Sequence, residues 1–351
     1  LFRIYANKEN MPAPYNKDNV PFKPRFHFTI SLSEVKEGDF TLVYGFPGKT
    51  NEYLSSHAVK MIREVANPVK IKLRAKKLEI MDSYMRNNDT IRIKYAAKYY
   101  TVANAYKKWQ GENRGIDKLD VIAKKQNEEK AFLKNAIYKN QTEASTILID
   151  LELLYNKYTL YNKQKDYFVE AFKGSELMNF AVSFKNSLTK INNYKDDKLK
   201  QDKKIESLKN SVRGFYKSYD ARVDEEIFAG LMQLYYEDMQ TQLPKLLFDE
   251  LTNKYKGSAQ IWAAMLYRKS IFKDQTKLET LLSHLPSKIR KLENDPLIRL
   301  ANSFDTYYTN DVQLDFLKLD TALQIMNRKY MGYQIQLNTQ KQFYPDANST
   351  I

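Results

Sequence analysis

The sequence predicts a mainly α-helical protein, in which a large helical domain is inserted between two short β-rich ends. Residues 1–48 cluster aromatic and β-branched side chains, which favour strands. Residues 49–340 space their apolar side chains three and four positions apart, which places these side chains on one face of an α-helix. Residues 341–351 return to Pro, Asp, Asn, Ser and Thr. These changes in composition and apolar spacing set the predicted domain boundaries.

The first 48 residues predict about three β-strands. The strand candidates are "FRIYA", "RFHFTISL" and "DFTLVYGF", and "EGD" at 37–39 is typical of a turn between the last two. Four prolines make the connection between the first two irregular, because proline fixes φ and donates no backbone hydrogen bond. Three strands are too few to be stable alone.

From Thr50 onward the sequence predicts amphipathic helices. One lies in 69–86, with the apolar stripe Ile71, Ala75, Leu78, Met81 or Asp82, and Met85. Another lies in 147–158, with the stripe Ile147, Leu151, Leu154, Tyr155 and Tyr158. A last long helix is predicted at about 311–338, with Asn310 and Gln313 as its capping pair.

Proline and glycine mark the predicted helix ends, since proline cannot continue a helix and glycine readily ends one. The predicted ends are Asn67-Pro68, Gly111 to Gly115, Gly174, Gly214, Leu243-Pro244, Gly257, Leu285-Pro286 and Asp295-Pro296. No repeat of about 30 to 50 residues is recognisable, so a regular solenoid is not indicated.

The composition limits the kinds of function. The 351 residues carry 57 Lys and Arg against 42 Asp and Glu, and this net charge of +15 attracts anions, acidic membranes or nucleic acid at low salt. The absence of Cys excludes disulfides, thiolate metal sites and a cysteine nucleophile. No run approaches the roughly 18 apolar residues of a membrane span. The chain starts at Leu1 and stops at Ile351 abruptly, so we expect a piece of a longer protein with targeting signals outside it.

Motifs for nucleotide, metal and hydrolytic chemistry are incomplete. "GFPGKT" at 45–50 resembles the end of a phosphate-binding loop, but that loop needs glycine where Val43 stands. His27, His57 and His284 are scattered, with no acidic residue at the helical offset of a zinc site, so we interpret them as structural or surface residues. No serine has the glycine-flanked context of a nucleophile. The sequence therefore predicts no catalytic residue and no metal site.

Two basic runs, "KIKLRAKK" at 70–77 and "KLKQDKK" at 198–204, accompany 26 tyrosines. Such a combination can bind nucleic acid, with the aromatic rings as stacking platforms. The lysines, however, alternate with apolar residues inside predicted helices, and the tyrosines lie largely on the apolar stripes. We interpret the runs as solvated outer faces over a Tyr-rich core and expect no nucleic acid as partner. A non-catalytic basic module for an acidic partner or nucleic acid stays the alternative.

The stretch 87–115 is the most informative. Its spacing predicts a helix of about 20 residues with one buried seam, made of Tyr95, Tyr99, Val102, Tyr106 and Trp109. Asn104 points away from this seam, toward the face shared with Ala97, Tyr100 and Lys108. Asparagine is a poor helix former, and its usual explanation is an exposed polar face. Its side-chain carbonyl can also accept a hydrogen bond from a ligand amine.

Three segments carry a family resemblance. They are "GDFTLVYGFPGKTNEYL", "NPVKIKLRAKKLEIMDSYMRNNDTIRIKYAAKYYTVANAYKKWQGENRG" and "FYPDANST". They resemble the middle of serine peptidase family forty-six, the family of bacterial dipeptidyl peptidases seven and eleven and of dipeptidyl aminopeptidase BII. The opening "FRIYANKENMPAPYNKDNVPFKP" is similar to the family sequence just after its catalytic aspartate. The resemblance is strongest over about the first 115 residues and the last ten.

The resemblance implies a serine-type dipeptidyl peptidase, which releases dipeptides from the free N-terminus of peptides. In this family a Ser-His-Asp triad lies on a chymotrypsin-like double β-barrel, and a helical domain inserted between the barrel strands caps the cleft. The triad would lie outside Leu1–Ile351, so this piece should be inactive alone. The resemblance further implies no cofactor, a homodimer as the candidate assembly of the parent, and the periplasm or cell surface of a Gram-negative bacterium. "GFPGKT" would be the turn by which the chain leaves the barrel.

The resemblance also implies one functional residue. The family's helical domain supplies an asparagine from the "VAN" stretch, here Asn104, to hold the substrate's free α-amino group. An amide oxygen on a rigid helix then fixes how far the substrate enters before the triad meets its second peptide bond. The side-chain preference at the second substrate residue does not follow from this sequence, because the pocket that reads it should lie mainly on the downstream barrel.

Overall fold

The computed structural model describes residues 3–40, 42, 45, 48–239 and 244–347. The chain divides into two compact units. The first, here the terminal unit, is Leu1–Thr50 with Ala347–Ile351, and the second, here the helical unit, is Asn51–Asp346. All α-helices of the described residues belong to the helical unit, so the predicted mainly α class is confirmed.

The described part of the terminal unit contains one short antiparallel pair of strands. Strand β1 (Tyr5–Ala6) pairs with β2 (Val20–Pro21), and Tyr5 lies opposite Pro21. Asn10 stabilises the connection, because its side chain exchanges two hydrogen bonds of 2.8 Å with the backbone of Lys23.

The prediction of three strands is wrong for the described residues. "RFHFTISL" forms no strand, and its apolar side chains, among them Phe28 and Leu32, are exposed. A strand is stabilised by hydrogen bonds to a neighbouring strand, and within the described residues this segment pairs with none. The predicted turn at 37–39 is confirmed by Gly38, whose φ is 97°. Most of "DFTLVYGF" and of the "GFPGKT" turn lies outside the described residues.

The helical unit consists of α-helices joined by short turns and by π-helical segments. The α-helices are α1 (Ser56–Met61), α2 (Asn67–Asn87), α3 (Asp89–Lys118), α4 (Val121–Tyr138), α5 (Thr142–Tyr167), α6 (Glu176–Asn193), α7 (Lys198–Tyr216), α8 (Ala221–Asp238), α9 (Lys245–Asp249), α10 (Ala259–Lys269), α11 (Gln275–Ser283), α12 (Ile289–Glu293), α13 (Pro296–Tyr307) and α14 (Leu314–Leu337). The π-helical segments are Ile62–Ala66, Phe168–Phe172, Glu250–Lys254 and Tyr308–Gln313, and Ile271–Lys273 is a 3₁₀ turn.

Several predicted helix ends lie inside continuous helices. Asn67-Pro68 does not end a helix, because the π-helical segment Ile62–Ala66 widens the turn before the proline and joins α1 to α2. Gly111 to Gly115 lies inside α3, and Gly214 lies inside α7. Interior glycine costs a helix only about 1 kcal/mol, and tertiary contacts can outweigh that cost. Here Asn67 on α2 donates to Glu112 at 3.0 Å and Arg63 pairs with Asp117 at 2.7 Å, and both bonds hold the end of α3.

The predicted capping pair Asn310 and Gln313 is also wrong. Both residues lie in the π-helical segment Tyr308–Gln313, which joins α13 to α14 without a break, so no helix begins there. The predicted end at Asp295-Pro296 is confirmed: Asp295 is the N-cap of α13 and accepts a hydrogen bond from the Leu297 N–H at 2.9 Å. Leu243 of the predicted end Leu243-Pro244 lies outside the described residues.

Two hydrophobic clusters form the core of the helical unit. The larger, here the main cluster, contains Phe172, which stacks on Phe304 with 4.1 Å between ring centroids, and the fully buried Trp262. The smaller, here the second cluster, contains the predicted 147–158 stripe together with residues of α4 and α14. Buried tyrosines occur in both clusters, so the predicted Tyr-rich core is confirmed.

Three long helices connect the two clusters, and each contains a π-helical segment. The helix of α1 and α2 contributes Ala58 to the second cluster and Leu73 to the main cluster. The helix of α5 and the helix of α13 and α14 also contribute buried residues to both clusters. A π-helical segment rotates the residues that follow it relative to those before it, so that one continuous helix presents different faces to the two clusters.

No helix of the described residues is both long enough and apolar enough to cross a membrane.

Phe172→Ala should lower the free energy of unfolding by about 3–5 kcal/mol, because it removes a fully buried ring and leaves a cavity against Phe304. Urea denaturation followed by circular dichroism measures the loss. The control is Tyr138→Ala, which truncates a ring that is 85% exposed and should change stability by at most about 0.5 kcal/mol. Similar losses in the two variants would contradict the burial of Phe172.

Candidate functional site

Helix α3 carries the one residue that the sequence nominates for substrate binding. The helix starts at a regular N-cap, where Asn88 has extended backbone angles and its side chain accepts from the Ile91 N–H at 3.0 Å. Asp89 in the first turn complements the positive end of the helix dipole. The helix then runs for 30 residues instead of the predicted 20 or so, so Asn104 lies near its middle.

The buried seam of α3 is confirmed in part. Tyr95 is fully buried, whereas Tyr99, Val102, Tyr106 and Trp109 are half-buried. The hydroxyl of Tyr95 donates to the carbonyl of Asp220 at 3.3 Å, and burial raises the pKa of this hydroxyl above its usual range. One face of α3 is therefore fixed against the rest of the helical unit.

Asn104 lies on the opposite, exposed face, together with Ala97, Tyr100 and Lys108, as the helical spacing predicts. Its side-chain amide makes no hydrogen bond with any of the described residues. Tyr100, one turn earlier, is 70% exposed. This face of α3 thus presents an amide with a free acceptor and free donors, next to an exposed aromatic ring, on a rigid helix.

Arg74 on α2 fixes the middle of α3 from behind. Its guanidinium forms a bidentate pair with Glu170, with distances of 2.8 and 2.9 Å. It also donates to the carbonyl oxygen of Val102 at 3.3 Å and stacks over the Trp109 ring at 4.7 Å. Because Val102 precedes Asn104 by two residues, this contact sets the position of the backbone that carries the amide.

A second anchor holds α3 half a dozen residues before Asn104. The ammonium of Lys98 donates to Glu176 at 2.6 Å and to the carbonyl of Ser218 at 2.5 Å, and lies 4.3 Å from the centroid of the Tyr95 ring. Glu176 is itself fixed at the N-terminus of α6, where its backbone N–H donates to Asp224 at 2.7 Å. The anchor therefore connects α3 to both α6 and α8.

Asp224 is a fully buried carboxylate beneath this anchor. It accepts hydrogen bonds from the backbone N–H of Leu177 at 3.0 Å, from the Ser175 hydroxyl at 3.0 Å and from the Tyr267 hydroxyl at 2.8 Å. Burial and the neighbouring Glu176 raise the pKa of Asp224 to about 6. Its donors come from the start of α6 and from α10, so it joins these helices to α8.

The interpretation of "KIKLRAKK" as a solvated outer face is wrong for three of its residues. Lys70 and Arg74 lie over the Trp109 ring, and Lys77 donates to the carbonyl of Gly174 at 2.5 Å. Burial lowers the pKa of both Lys70 and Lys77. A sequence signal existed: Arg74 is the one arginine in a lysine run, and a guanidinium suits bidentate carboxylate pairing where an ammonium does not.

Neither the histidines nor the acidic residues form a second site. His27 and His284 are exposed and His57 is half-buried, and no histidine hydrogen-bonds a carboxylate within the described part of the chain. His284 Nδ1 lies 2.7 Å from the carbonyl of Thr280. The described residues also contain no group of three or more histidine and acidic side chains that could hold a metal ion.

Comparison with known proteins identifies the family. The sequence profile of the family Peptidase S46 matches residues 1–351. The chain belongs to this family. It is 36% identical to an Asp/Glu-specific dipeptidyl-peptidase of Flavobacterium psychrophilum, over 100% of this chain and 48% of that protein. It is 30% identical to dipeptidyl-peptidase 7 of Porphyromonas gingivalis, with the same two coverages.

Solved structures of a second bacterial protein, DPP11, share the fold. DPP11 of Porphyromonas endodontalis in complex with the dipeptide Arg-Asp gives a TM-score of 0.76 at 26% identity, over 99% of this chain and 49% of that chain. The same protein with the dipeptide Arg-Glu gives a TM-score of 0.75 at 25% identity. The present chain thus spans about half the length of the S46 relatives that it matches.

Glu170→Gln should lower the free energy of unfolding by about 1.5–3 kcal/mol, because it leaves the guanidinium of Arg74 without its bidentate partner in a largely buried position. Chemical denaturation measures the loss. Asp89→Asn serves as the matched control, since its pair with Arg92 is exposed and its removal should cost less than about 1 kcal/mol. A loss for Glu170→Gln no larger than that of the control would show that the Arg74 pair does not hold α3.

Proposed function

We propose that the chain is the helical cap domain of a serine-type dipeptidyl peptidase, which releases dipeptides from the free N-terminus of peptides. The observation that carries the proposal is the match to Peptidase S46 from end to end, with relatives that are named dipeptidyl-peptidases. The Ser-His-Asp triad belongs to the parts of the parent outside this chain, and the two ends of the chain, 1–48 and 341–351, join the cap to the double β-barrel that bears the triad. The isolated chain is accordingly inactive.

Asn104 binds the α-amino group of the substrate. An ammonium group needs hydrogen-bond acceptors, and the amide of Asn104 is exposed and has no competing partner among the described residues. The Arg74 and Lys98 contacts restrict the movement of α3, so that the acceptor has a defined position. A fixed acceptor sets how far the substrate enters. It holds the α-amino group at the position where the second peptide bond meets the reacting serine.

The parent enzyme acts in the periplasm or at the cell surface of a Gram-negative bacterium, and it assembles as a homodimer. Both proposals rest on the family resemblance. The catalytic step is acyl transfer by the serine, with the histidine as general base.

Asn104→Ala in the full-length enzyme should lower kcat/KM for dipeptidyl substrates about 10- to 100-fold, chiefly through KM, because one hydrogen bond to a charged group is lost. Fluorogenic substrates with a free N-terminus measure the effect. Asn127→Ala is the matched control: it removes an exposed asparagine from α4 and should leave the kinetics unchanged. Unchanged kinetics in Asn104→Ala would refute the assigned role.

The substrate preference is for an acidic second residue. Two relatives at 36% identity, from Flavobacterium psychrophilum and Capnocytophaga gingivalis, are Asp/Glu-specific dipeptidyl-peptidases. Two relatives named dipeptidyl-peptidase 7, from Porphyromonas endodontalis and Porphyromonas gingivalis, are 32% and 30% identical.

The full-length enzyme should therefore cleave substrates with Asp or Glu at the second position at least about tenfold more efficiently than substrates with Leu or Met, a difference of about 1.4 kcal/mol in transition-state binding. A panel of four dipeptidyl fluorogenic substrates that differ only at that position compares kcat/KM directly. A preference for the apolar residues would reject the acidic assignment while leaving the dipeptidyl peptidase activity itself intact.

A further inference from the structure

The helical unit contains a strongly basic cavity, and the residues that line it include none of those discussed above for substrate binding. It has a volume of about 340 Å³ and lies where α10, α11, α12 and α13 meet. Five cationic side chains line it: Arg268, Lys269, Lys273, Lys277 and Lys291. Against them stand two carboxylates, those of Asp274 and Asp295, so the lining has an excess of three positive charges.

Most of these cations have no ionic partner. Lys277 pairs with Asp274 at 3.3 Å. Within the described part of the chain, the guanidinium of Arg268 donates to the sulfur of Met265 at 3.0 Å and forms no ion pair, and neither do Lys269, Lys273 and Lys291. Like charges around one small volume repel each other, and an anion bound among them would offset that repulsion.

Hydrogen bonds to the buried carboxylate of Asp295 fix the floor of the cavity. The carboxylate of Asp295 is 6% exposed and accepts hydrogen bonds from the Ser270 hydroxyl at 2.9 Å and from the backbone N–H of Ile271 at 2.7 Å. It also caps α13. This carboxylate therefore ties the segment between Lys269 and Lys273 to the start of α13, and its own hydrogen-bonding capacity is largely used.

The charge imbalance is not a general property of this protein's surface. Four other cavities of the helical unit each have at most one more cation than carboxylate in their linings, in spite of the net charge of +15 of the whole chain. The cavity of about 560 Å³ between α2 and α5, for example, has two lysines and two carboxylates. The basic cavity thus differs from its surroundings in charge, and the overall composition does not account for it.

We propose that this cavity binds a multiply charged phosphate-bearing anion. The ammonium groups of Lys269, Lys273 and Lys291 supply point charges, and the guanidinium of Arg268 supplies two parallel donors that match two phosphate oxygens. The volume exceeds what one phosphate group requires and suits two phosphates or a phosphorylated sugar. A soluble phosphate compound and a phosphorylated lipid headgroup present the same group to the cavity.

The test is isothermal titration of the full-length protein with pyrophosphate at about 0.15 M salt, where charges further apart than about 8 Å are screened. Wild-type protein should bind one equivalent. The double substitution Lys273→Gln with Lys291→Gln should weaken binding at least about tenfold, as should Arg268→Gln with Lys269→Gln, since each removes two charge-assisted contacts. All four side chains are exposed, so the variants should fold, and thermal unfolding checks that they do.

The matched control is Lys130→Gln with Lys134→Gln, which also removes two positive charges, but from the exposed face of α4. It should leave pyrophosphate binding within about twofold of the wild type, because neither lysine lines the cavity. An equal loss in this control would show that the overall field of the protein binds the anion, and would overturn the proposal. Absence of pyrophosphate binding by the wild type would overturn it as well.

Two further arms identify the source of the phosphate. Vesicles of phosphatidylcholine with phosphatidic acid should bind through Lys273 and Lys291 if the natural ligand is a lipid headgroup. Binding of pyrophosphate without binding of such vesicles would assign a soluble phosphate compound. If polyglutamate binds through the same lysines and pyrophosphate does not, the cavity recognises acidic polypeptide and the phosphate assignment is wrong.

Discussion

The ion pair between Arg74 and Glu170 is the interaction on which the candidate site depends. Glu170 lies in the π-helical segment after α5, Arg74 lies on α2, and the same guanidinium contacts α3 at Val102 and Trp109. One side chain thus fixes three segments of the chain at a single point. Arginine is suited to this because its planar guanidinium can pair with a carboxylate along one edge, donate to a carbonyl from another and stack on a ring.

The position of Asn104 could be predicted from helical spacing alone, because a residue two positions from the seam faces the opposite side of a regular helix. The seam itself is weaker than predicted: only Tyr95 is fully buried, and α2 covers the other seam residues incompletely. What holds α3 instead is a set of charged contacts from residues distant in sequence, such as Lys98 with Glu176. Pairing between distant polar residues leaves no periodic signal in a sequence.

The wrong helix ends have a common cause. Glycine and proline alter the local preference by one to about 3 kcal/mol, and packing of neighbouring helices can exceed that amount. Gly115 stays helical because Arg63, in the π-helical segment Ile62–Ala66, and Asn67, on α2, hold the residues around it. Pro68 stays helical because the preceding turn widens. The strand predicted at 25–32 shows the reverse case. Its residues strongly favour a β-strand, but it pairs with no other strand among the described residues, so no strand forms.

The three helices that run between the main and the second cluster have a thermodynamic consequence. If either cluster melted, it would leave half of each of these helices without its apolar contacts, and isolated helical segments of that length are marginal in water. The two clusters are therefore expected to lose structure in one cooperative transition, as a single folding unit, although they are separate in space. The helical unit would then be either fully folded or unfolded, with no stable state in which α3 is intact while the second cluster is melted.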